Sequence, residues 1–252
     1  MTGLRSLQPV WAILLGAATV LSLSLGLRQS LGIFMPPITQ GPQAIGITVA
    51  QFTAAVAVQN LAWGLLQPLA GAWAARVGYR PLMVAGAALY VAALLLLASA
   101  QGLLAVMLSA GVMIGASLAC TGSALTMSVA TRVVSPANRS LVLGMVSAVG
   151  SLGAMIAAPI GQTLAAGHGW RWGVWGFALL ALVMLPAAWV AGRADKVPLP
   201  APVAGTADGG TAMQAVRRAL HSVPFLVMAG AYFVCGMQLV FLTTHLPAYL
   251  AI

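Results

Sequence analysis

Seven long apolar stretches divide the sequence, and short polar segments separate them. Each stretch reaches the ~20 predominantly apolar residues that a membrane-spanning helix needs. The pattern therefore predicts an all-α, polytopic membrane protein with seven spans, numbered helix 1 to helix 7. The predicted spans are residues 9–35, 48–74, 81–100, 103–130, 140–166, 172–191 and 224–250.

The composition agrees with this pattern. Charged residues make up 5% of the chain and hydrophobic residues 61%, and the mean hydropathy is +1.01. The net charge of +9 comes from basic residues that stand singly or in pairs at the ends of apolar stretches, as membrane topology requires. We therefore expect the lipid bilayer as a partner and no nucleic acid. Cys120 and Cys235 lack metal-like spacing, and we expect neither a metal nor a cofactor.

The basic residues also predict the orientation of the chain. Short cytoplasmic loops of membrane proteins carry an excess of Lys and Arg. With a cytoplasmic N-terminus, Arg171 is the one loop cation that falls outside, so we predict this orientation. The predicted cytoplasmic set is Arg5, Arg76, Arg80, Arg132, Arg139, Arg193, Lys196, Arg217 and Arg218.

Arg28 interrupts the first apolar stretch, which resumes at Leu31. A guanidinium inside a bilayer costs at least ~2.5 kcal/mol on insertion scales, so such a residue indicates a functional site. The alternative is that its side chain snorkels to the headgroups. Guanidinium binds carboxylate in a bidentate fork. The two acidic residues, Asp195 and Asp208, lie outside the seven predicted spans, which favours an anionic ligand over a cation.

Two segments of the sequence resemble each other. Residues 68–80 and 159–171 each contain a proline, then a glycine, and end in a Gly-aromatic-Arg triplet. Each lies between the second and third helix of a group of three, on opposite predicted sides of the membrane. This similarity predicts an inverted 3+3 repeat, an arrangement found in transporter folds.

The segment between helices 2 and 3 resembles the corresponding loop of the major facilitator superfamily. The usual pattern there is Gly, three residues, Asp, Arg, one residue, Gly and two basic residues. Gly71, Arg76, Gly78 and Arg80 match this pattern, whereas Ala75 replaces the Asp and Tyr79 replaces one of the two basic residues. The resemblance implies that the four matching residues form a loop involved in conformational change.

Other segments are similar to one group within that superfamily. Residues 27–34 resemble helix 1 of the monocarboxylate porters and their bacterial relatives, and residues 139–148 partly resemble the helix 5 signature. The end of helix 7 also looks like bacterial members of the group. The resemblance implies a bacterial cytoplasmic (inner) membrane location.

The same resemblance implies twelve helices in two six-helix halves. We therefore expect this chain to be truncated at its C-terminus, with the missing half or a second copy as a partner. The expected domains are a six-helix half at 1–192, a cytoplasmic linker at 193–222 with a short basic helix at 211–221, and helix 7 of an incomplete second half at 223–252.

In the superfamily, helices 1, 4, 7 and 10 line a central cavity. The resemblance therefore implies a substrate site on the helices of that set which this chain contains. The candidate residues are Ser24 and Arg28 on helix 1, Thr121 on helix 4, and Gln238 and His245 on helix 7. Ser24 and Arg28 are four residues apart and share a helix face, and Gln238 and His245 lie two turns apart.

Several of these assignments keep a structural alternative. Thr121 can bond its own helix backbone, as Ser and Thr often do in membrane helices. His245 is either a proton carrier or an interfacial residue. On helix 2, Gln59, Trp63 and Gln67 form a polar stripe that either faces the cavity or bonds a neighbouring helix.

We expect a secondary active transporter that moves a small, monocarboxylate-like organic anion by alternating access, with the proton as candidate coupling ion. One alternative is a drug or solute efflux permease of the same superfamily, and another is an inactive truncated fragment. A retinal protein is disfavoured because Lys196, the only lysine, lies in a loop. No enzyme is expected, since the chain lacks a nucleophile elbow and an HExxH motif.

Overall fold

The computed structural model describes residues 3–197 and 217–249, and these residues form an all-α fold. Seven of the described helices are long and apolar enough to cross a membrane, which confirms the predicted class and number of spans. The helices are helix 1 at Val10–Thr39, helix 2 at Val49–Val77, helix 3 at Tyr79–Ala98, helix 4 at Leu103–Val133, helix 5 at Pro136–His168, helix 6 at Trp170–Lys196 and helix 7 at Val223–Leu246.

The ends of the helices differ from the predicted ends by a few residues. Helix 1 continues through a 3-10 turn at Leu31–Phe34 into a short α-helix at Met35–Thr39. Prolines at the start of that short helix favour it, because proline lacks the N–H that a first turn leaves unpaired. Helix 6 ends in a 3-10 turn at Gly192–Lys196.

Part of the predicted linker lies outside the described residues. Of the basic helix expected at 211–221, residues 217–220 are helical, and residues 211–216 are among those not described. The α-helix of helix 7 continues to Tyr249.

Helices 1 to 6 pack with internal two-fold similarity. Helix 1 packs along helix 5 as helix 4 packs along helix 2. Helix 1 also contacts helix 6, helix 4 contacts helix 3 in the corresponding way, and helices 3 and 6 pack on each other. Helices 1 to 3 and helices 4 to 6 therefore occupy equivalent positions, which is the inverted 3+3 repeat that the sequence predicts.

The two repeated corners have the same backbone geometry. Gly78 has φ +92° and ψ 166°, and Gly169 has φ +95° and ψ 164°. Each glycine ends one helix and begins the next, and a positive φ favours glycine because it has no Cβ. Pro68 and Pro159 precede these glycines by the same number of residues and lie inside helices 2 and 5. The similarity between the two corners therefore extends to the backbone conformation.

Small residues set the distance between helices 1 and 5. A methyl group at Gly26 would clash with the backbone of Gly153, and a methyl group at Gly153 would clash with Ser22. Close backbone approach through small residues is a common way to pack helices in membranes. This contact places helix 1 firmly against the bundle and fixes the face from which Arg28 projects.

One end of the bundle carries Arg76, Arg80, Arg132 and Arg193, and we call it the basic end. The carboxylate of Asp195, at the end of helix 6, accepts hydrogen bonds there from the backbone N–H groups of Tyr79 at 2.8 Å and Arg80 at 2.9 Å. These are the first residues of helix 3, where an acidic cap satisfies free donors and complements the helix dipole.

Arg132 completes this connection at the basic end. Its guanidinium donates to the backbone carbonyls of Asp195 and Val197. The end of helix 6 is thus bonded to the start of helix 3 and to the end of helix 4. Ala75, in the last turn of helix 2, stands where the resemblance implies an Asp, and the carboxylate that bonds at this corner comes from helix 6.

Replacing Asp195 by Ala is expected to destabilise the protein by about 0.5–2 kcal/mol, because helix 3 loses the acceptor for two N–H groups. The measurement is the midpoint of thermal unfolding in detergent, compared with that of Lys196→Ala, a change at the exposed neighbouring residue. Equal midpoints for the two variants would contradict the capping role.

Candidate functional site

A cavity of about 940 Å³ lies between helices 1, 2 and 7. Most of its wall consists of aliphatic and aromatic side chains. Arg28 reaches it from helix 1, Thr53 and Asn60 from helix 2, and His245 from helix 7. The cavity is therefore a largely apolar space with a small number of polar groups, which is the usual character of a small-molecule site.

Arg28 is buried at this cavity, with 9% of its surface exposed. Its Nη2 donates a hydrogen bond to Oδ1 of Asn60 at 2.5 Å. The guanidinium carbon lies 4.9 Å from the ring centroid of Trp63, within the range of a cation–π interaction. The side chain is therefore held by an amide and an aromatic ring.

These contacts leave the charge of Arg28 without an acidic partner in the described part of the chain. Asp195 is the one acidic residue in the seven described helices, and its carboxylate bonds the start of helix 3. An amide and a ring stabilise a cation but do not neutralise it. A buried charge is normally paired, so the arrangement favours an anionic ligand.

Three buried polar atoms at the cavity have no hydrogen-bond partner. They are Nε of Arg28, Nε1 of Trp63 and Oγ1 of Thr53, and all three residues line the cavity. A buried donor without an acceptor costs about 1–3 kcal/mol. Nε1 of Trp63 lies on the side of Gly122 in helix 4, so a ligand that supplies acceptor oxygens would remove this cost only at Arg28 and Thr53.

The structure places the five predicted site residues in three different surroundings. Arg28 and His245 line the same cavity. Ser24 and Thr121 are buried, and the Ser24 hydroxyl donates to the Thr121 backbone carbonyl at 3.2 Å. Gln238 is exposed, whereas its neighbours on helix 7 contribute to the cavity wall.

The hydroxyls of Ser24 and Thr121 both donate to backbone carbonyls. Thr121 bonds Ser117 at 2.9 Å, one turn earlier in helix 4, and Ser24 also bonds Leu21 at 3.2 Å. Such local bonds are common for Ser and Thr in membrane helices. The two residues join helices 1 and 4 beside Arg28, and a direct role in substrate binding stays a prediction.

Helix 2 contributes Asn60, which the sequence analysis did not select, and its neighbour Gln59, which the analysis placed in a polar stripe. Gln59 is 1% exposed and its Nε2 donates to the backbone carbonyl of Ala110 in helix 4 at 2.6 Å, so it bonds a neighbouring helix. Asn60, one position along, lies against Arg28. The signal was its spacing of seven residues from Thr53, which places both on one helix face.

Tyr90 was also missed. It is fully buried in helix 3, and its hydroxyl donates to the backbone carbonyl of Ser24 at 3.1 Å. This bond lies one turn before Arg28 and steadies the backbone that carries it. The apolar sequence around Tyr90 contains no signal for this role.

The four residues of the predicted conformational loop lie at the basic end. Gly71 and Arg76 are exposed, and Gly78 forms the positive-φ corner described above. The guanidinium carbon of Arg80 lies 4.5 Å from the ring centroid of Trp189 in helix 6. Their part in a conformational change stays a prediction.

Helix 7 meets helix 1 at Gly32, near the end of the bundle opposite the basic end. A methyl group at Gly32 would clash with the backbone carbonyl of Thr243. Thr244 is 5% exposed, although most of helix 7 is exposed. The glycine therefore permits the contact that bounds the cavity at this end.

Replacing Gly32 by Val is expected to separate helix 7 from helix 1, because the new side chain occupies the space of the Thr243 carbonyl. The measurement is the distance between spin labels at Ala44 and Leu246 in a protein whose two cysteines are replaced by serine, and we expect a longer mean distance. The matched control is Gly230→Val on helix 7, where a Cβ meets no atom within 4 Å. Unchanged distances in both variants would contradict the contact.

Comparisons with known proteins identify the family. A family model described as the Major Facilitator Superfamily matches residues 10–252. Comparisons with curated proteins and with solved structures gave no match. The family match covers most of the chain and agrees with the two-fold packing of helices 1 to 6. The chain therefore belongs to the Major Facilitator Superfamily, a family of membrane transporters.

Proposed function

We propose that this protein is a secondary active transporter of a small, monocarboxylate-like organic anion and that it works by alternating access. The observation that carries the proposal is the burial of Arg28 at the cavity without an acidic partner in the described residues. A carboxylate would supply the missing negative charge and would accept from the guanidinium in a charge-assisted hydrogen bond.

The same site argues against a cation as substrate. A positively charged drug would meet the charge of Arg28 in surroundings of low dielectric constant, where like charges repel strongly. A cation exporter needs an intramembrane acid for its substrate, and the seven described helices hold their one acid, Asp195, at the basic end. An anion transporter is therefore favoured over a cationic drug efflux permease.

The contact between helices 1 and 7 supports alternating access. In this structure Gly32 of helix 1 lies against Thr243 and Thr244 of helix 7, and most of the residues that helices 1 and 7 contribute to the cavity lie on the basic-end side of that contact. With the N-terminus in the cytoplasm, as the loop charges favour, this contact closes the outer end. Opening it is the step by which the cavity would reach the other side.

His245 is our candidate for proton coupling. It lies on the cavity wall with Arg28, and its ring centroid is 5.1 Å from that of Phe241. Imidazole is a common proton carrier. A proton on His245 would add a second positive charge to the cavity and so favour entry of the anion.

Replacing Arg28 by Gln is expected to lower the affinity for carboxylates at least tenfold, because the variant lacks the positive charge that would pair with the carboxylate. The measurement is the dissociation constant for a monocarboxylate, by calorimetry on the purified protein. Arg193→Gln is the matched control, since Arg193 is exposed at the basic end. Binding that is unchanged in Arg28→Gln would overturn the assignment of the site.

Asn60→Asp separates a binding role of Arg28 from a purely structural one. It places a carboxylate where the amide oxygen lies 2.5 Å from Nη2, so the protein supplies its own counter-charge. We expect the thermal unfolding midpoint to stay the same or rise, while carboxylate binding falls at least tenfold. Asn138→Asp, at an exposed asparagine, is the control. Full binding in Asn60→Asp would contradict the proposal.

A further inference from the structure

The cavity wall separates polar groups from apolar groups. The polar atoms of helices 1 and 2 come from Arg28, Gln29, Thr53, Asn60 and Trp63. The other residues that helix 2 contributes are apolar, and helix 7 adds mainly aromatic and aliphatic side chains, with Tyr232, Thr244 and His245 as its polar residues. These apolar residues are Val56, Ala57, Leu61, Phe233, Met237, Leu239, Val240 and Phe241.

The polar side of the cavity fits a single carboxylate. Arg28 is the one Lys or Arg among the lining residues, and one of its nitrogens already bonds Asn60. Nε of Arg28 and Oγ1 of Thr53 have no hydrogen-bond partner among the described residues. A second carboxylate would depend on His245, whose ring lies against Phe241 in the apolar part of the wall.

The rest of the cavity fits a body without polar groups. Most of this wall is aliphatic or aromatic, so hydroxyl groups of a ligand placed against that part would lose their hydrogen bonds to water without replacement. A cavity of about 940 Å³ is far larger than the two or three carbons of acetate or lactate require. Apolar surface placed against Val56, Phe233 and Phe241 would instead gain from removal of water.

We propose that the substrate is an amphipathic monocarboxylate, with one carboxylate at Arg28 and an aliphatic or aromatic body against the apolar wall of helices 2 and 7. This inference rests on the proposed function, since it assigns a substrate class to the same site. Trp63 connects the two parts, because its ring centroid lies 4.9 Å from the guanidinium carbon and the residue also lines the cavity. Short hydrophilic acids and sugar acids are poor ligands for such a site.

The test is calorimetric titration of the purified protein with ligands that vary one feature at a time. Acetate, butanoate and hexanoate vary the body at constant charge, and phenylacetate adds a ring. Gluconate adds hydroxyls, succinate adds a second carboxylate, and hexanamide removes the charge. We expect affinity to rise about threefold to fourfold per methylene up to hexanoate, and gluconate, succinate and hexanamide to bind at least tenfold more weakly than hexanoate.

Two variants at matched phenylalanines locate the apolar contact. Phe241→Ser changes a residue of the cavity wall and is expected to weaken hexanoate more than acetate. Phe225→Ser changes a phenylalanine near the other end of helix 7 that does not line the cavity and is expected to leave both unchanged. Chain-length dependence that persists in Arg28→Gln would indicate partition into detergent and would count against the site.

The outcomes distinguish a failure of this inference from a failure of the proposed function. If carboxylates bind in an Arg28-dependent manner but acetate and gluconate bind as tightly as hexanoate, the amphipathic substrate class is wrong and the anion site stands. If hexanamide binds as well as hexanoate, or no carboxylate binds in an Arg28-dependent manner, both are wrong. The ligand series uses the unmodified protein, so the ranking of the ligands does not depend on how any variant folds.

Discussion

The buried charge of Arg28 is the constraint on which the rest of this site depends. A guanidinium in an apolar bundle requires compensation, and the described residues provide an amide, an aromatic ring and no carboxylate. Asn60 fixes one nitrogen, and Trp63 covers the plane of the group. Arg28 also lines a cavity large enough for a ligand, so an anion bound there would both neutralise the charge and stabilise the protein.

The other helices hold Arg28 in place through close backbone packing and through hydrogen bonds to backbone groups. Gly26 lets helix 1 approach helix 5, and Tyr90 bonds the backbone of Ser24 one turn before Arg28. At the basic end, Asp195 caps helix 3 from helix 6. Helices 1 to 6 thus form a connected unit, and helix 7 contacts it mainly at the end of helix 1, where Gly32 allows close approach. Such a limited contact is suited to opening and closing.

Much of the fold could be predicted because membrane helices are specified by local pattern. Hydropathy located all seven spans, and the repeated Gly-aromatic-Arg triplets indicated the two-fold packing. Arg28 stood out because an intramembrane charge is rare. These features depend on length, composition and short-range spacing, which are visible in the sequence itself.

The partners of Arg28 could not be predicted in the same way, because they depend on how helices rotate against each other. Gln59 and Asn60 are adjacent in sequence, yet one bonds helix 4 and the other bonds Arg28. The hydroxyls of Ser24 and Thr121 bond backbone carbonyls. Asp195 lies in the last turn of helix 6, and the sequence offers no indication that its partner is the start of helix 3.

The most direct test of the central claim is chemical modification of Arg28 itself. The protein would be treated with the arginine reagent p-hydroxyphenylglyoxal, with and without hexanoate, and modification at each arginine would be quantified by mass spectrometry. We predict that hexanoate protects Arg28 and leaves Arg193, exposed at the basic end, equally reactive. Equal modification of Arg28 with and without the carboxylate would show that the anion does not bind there.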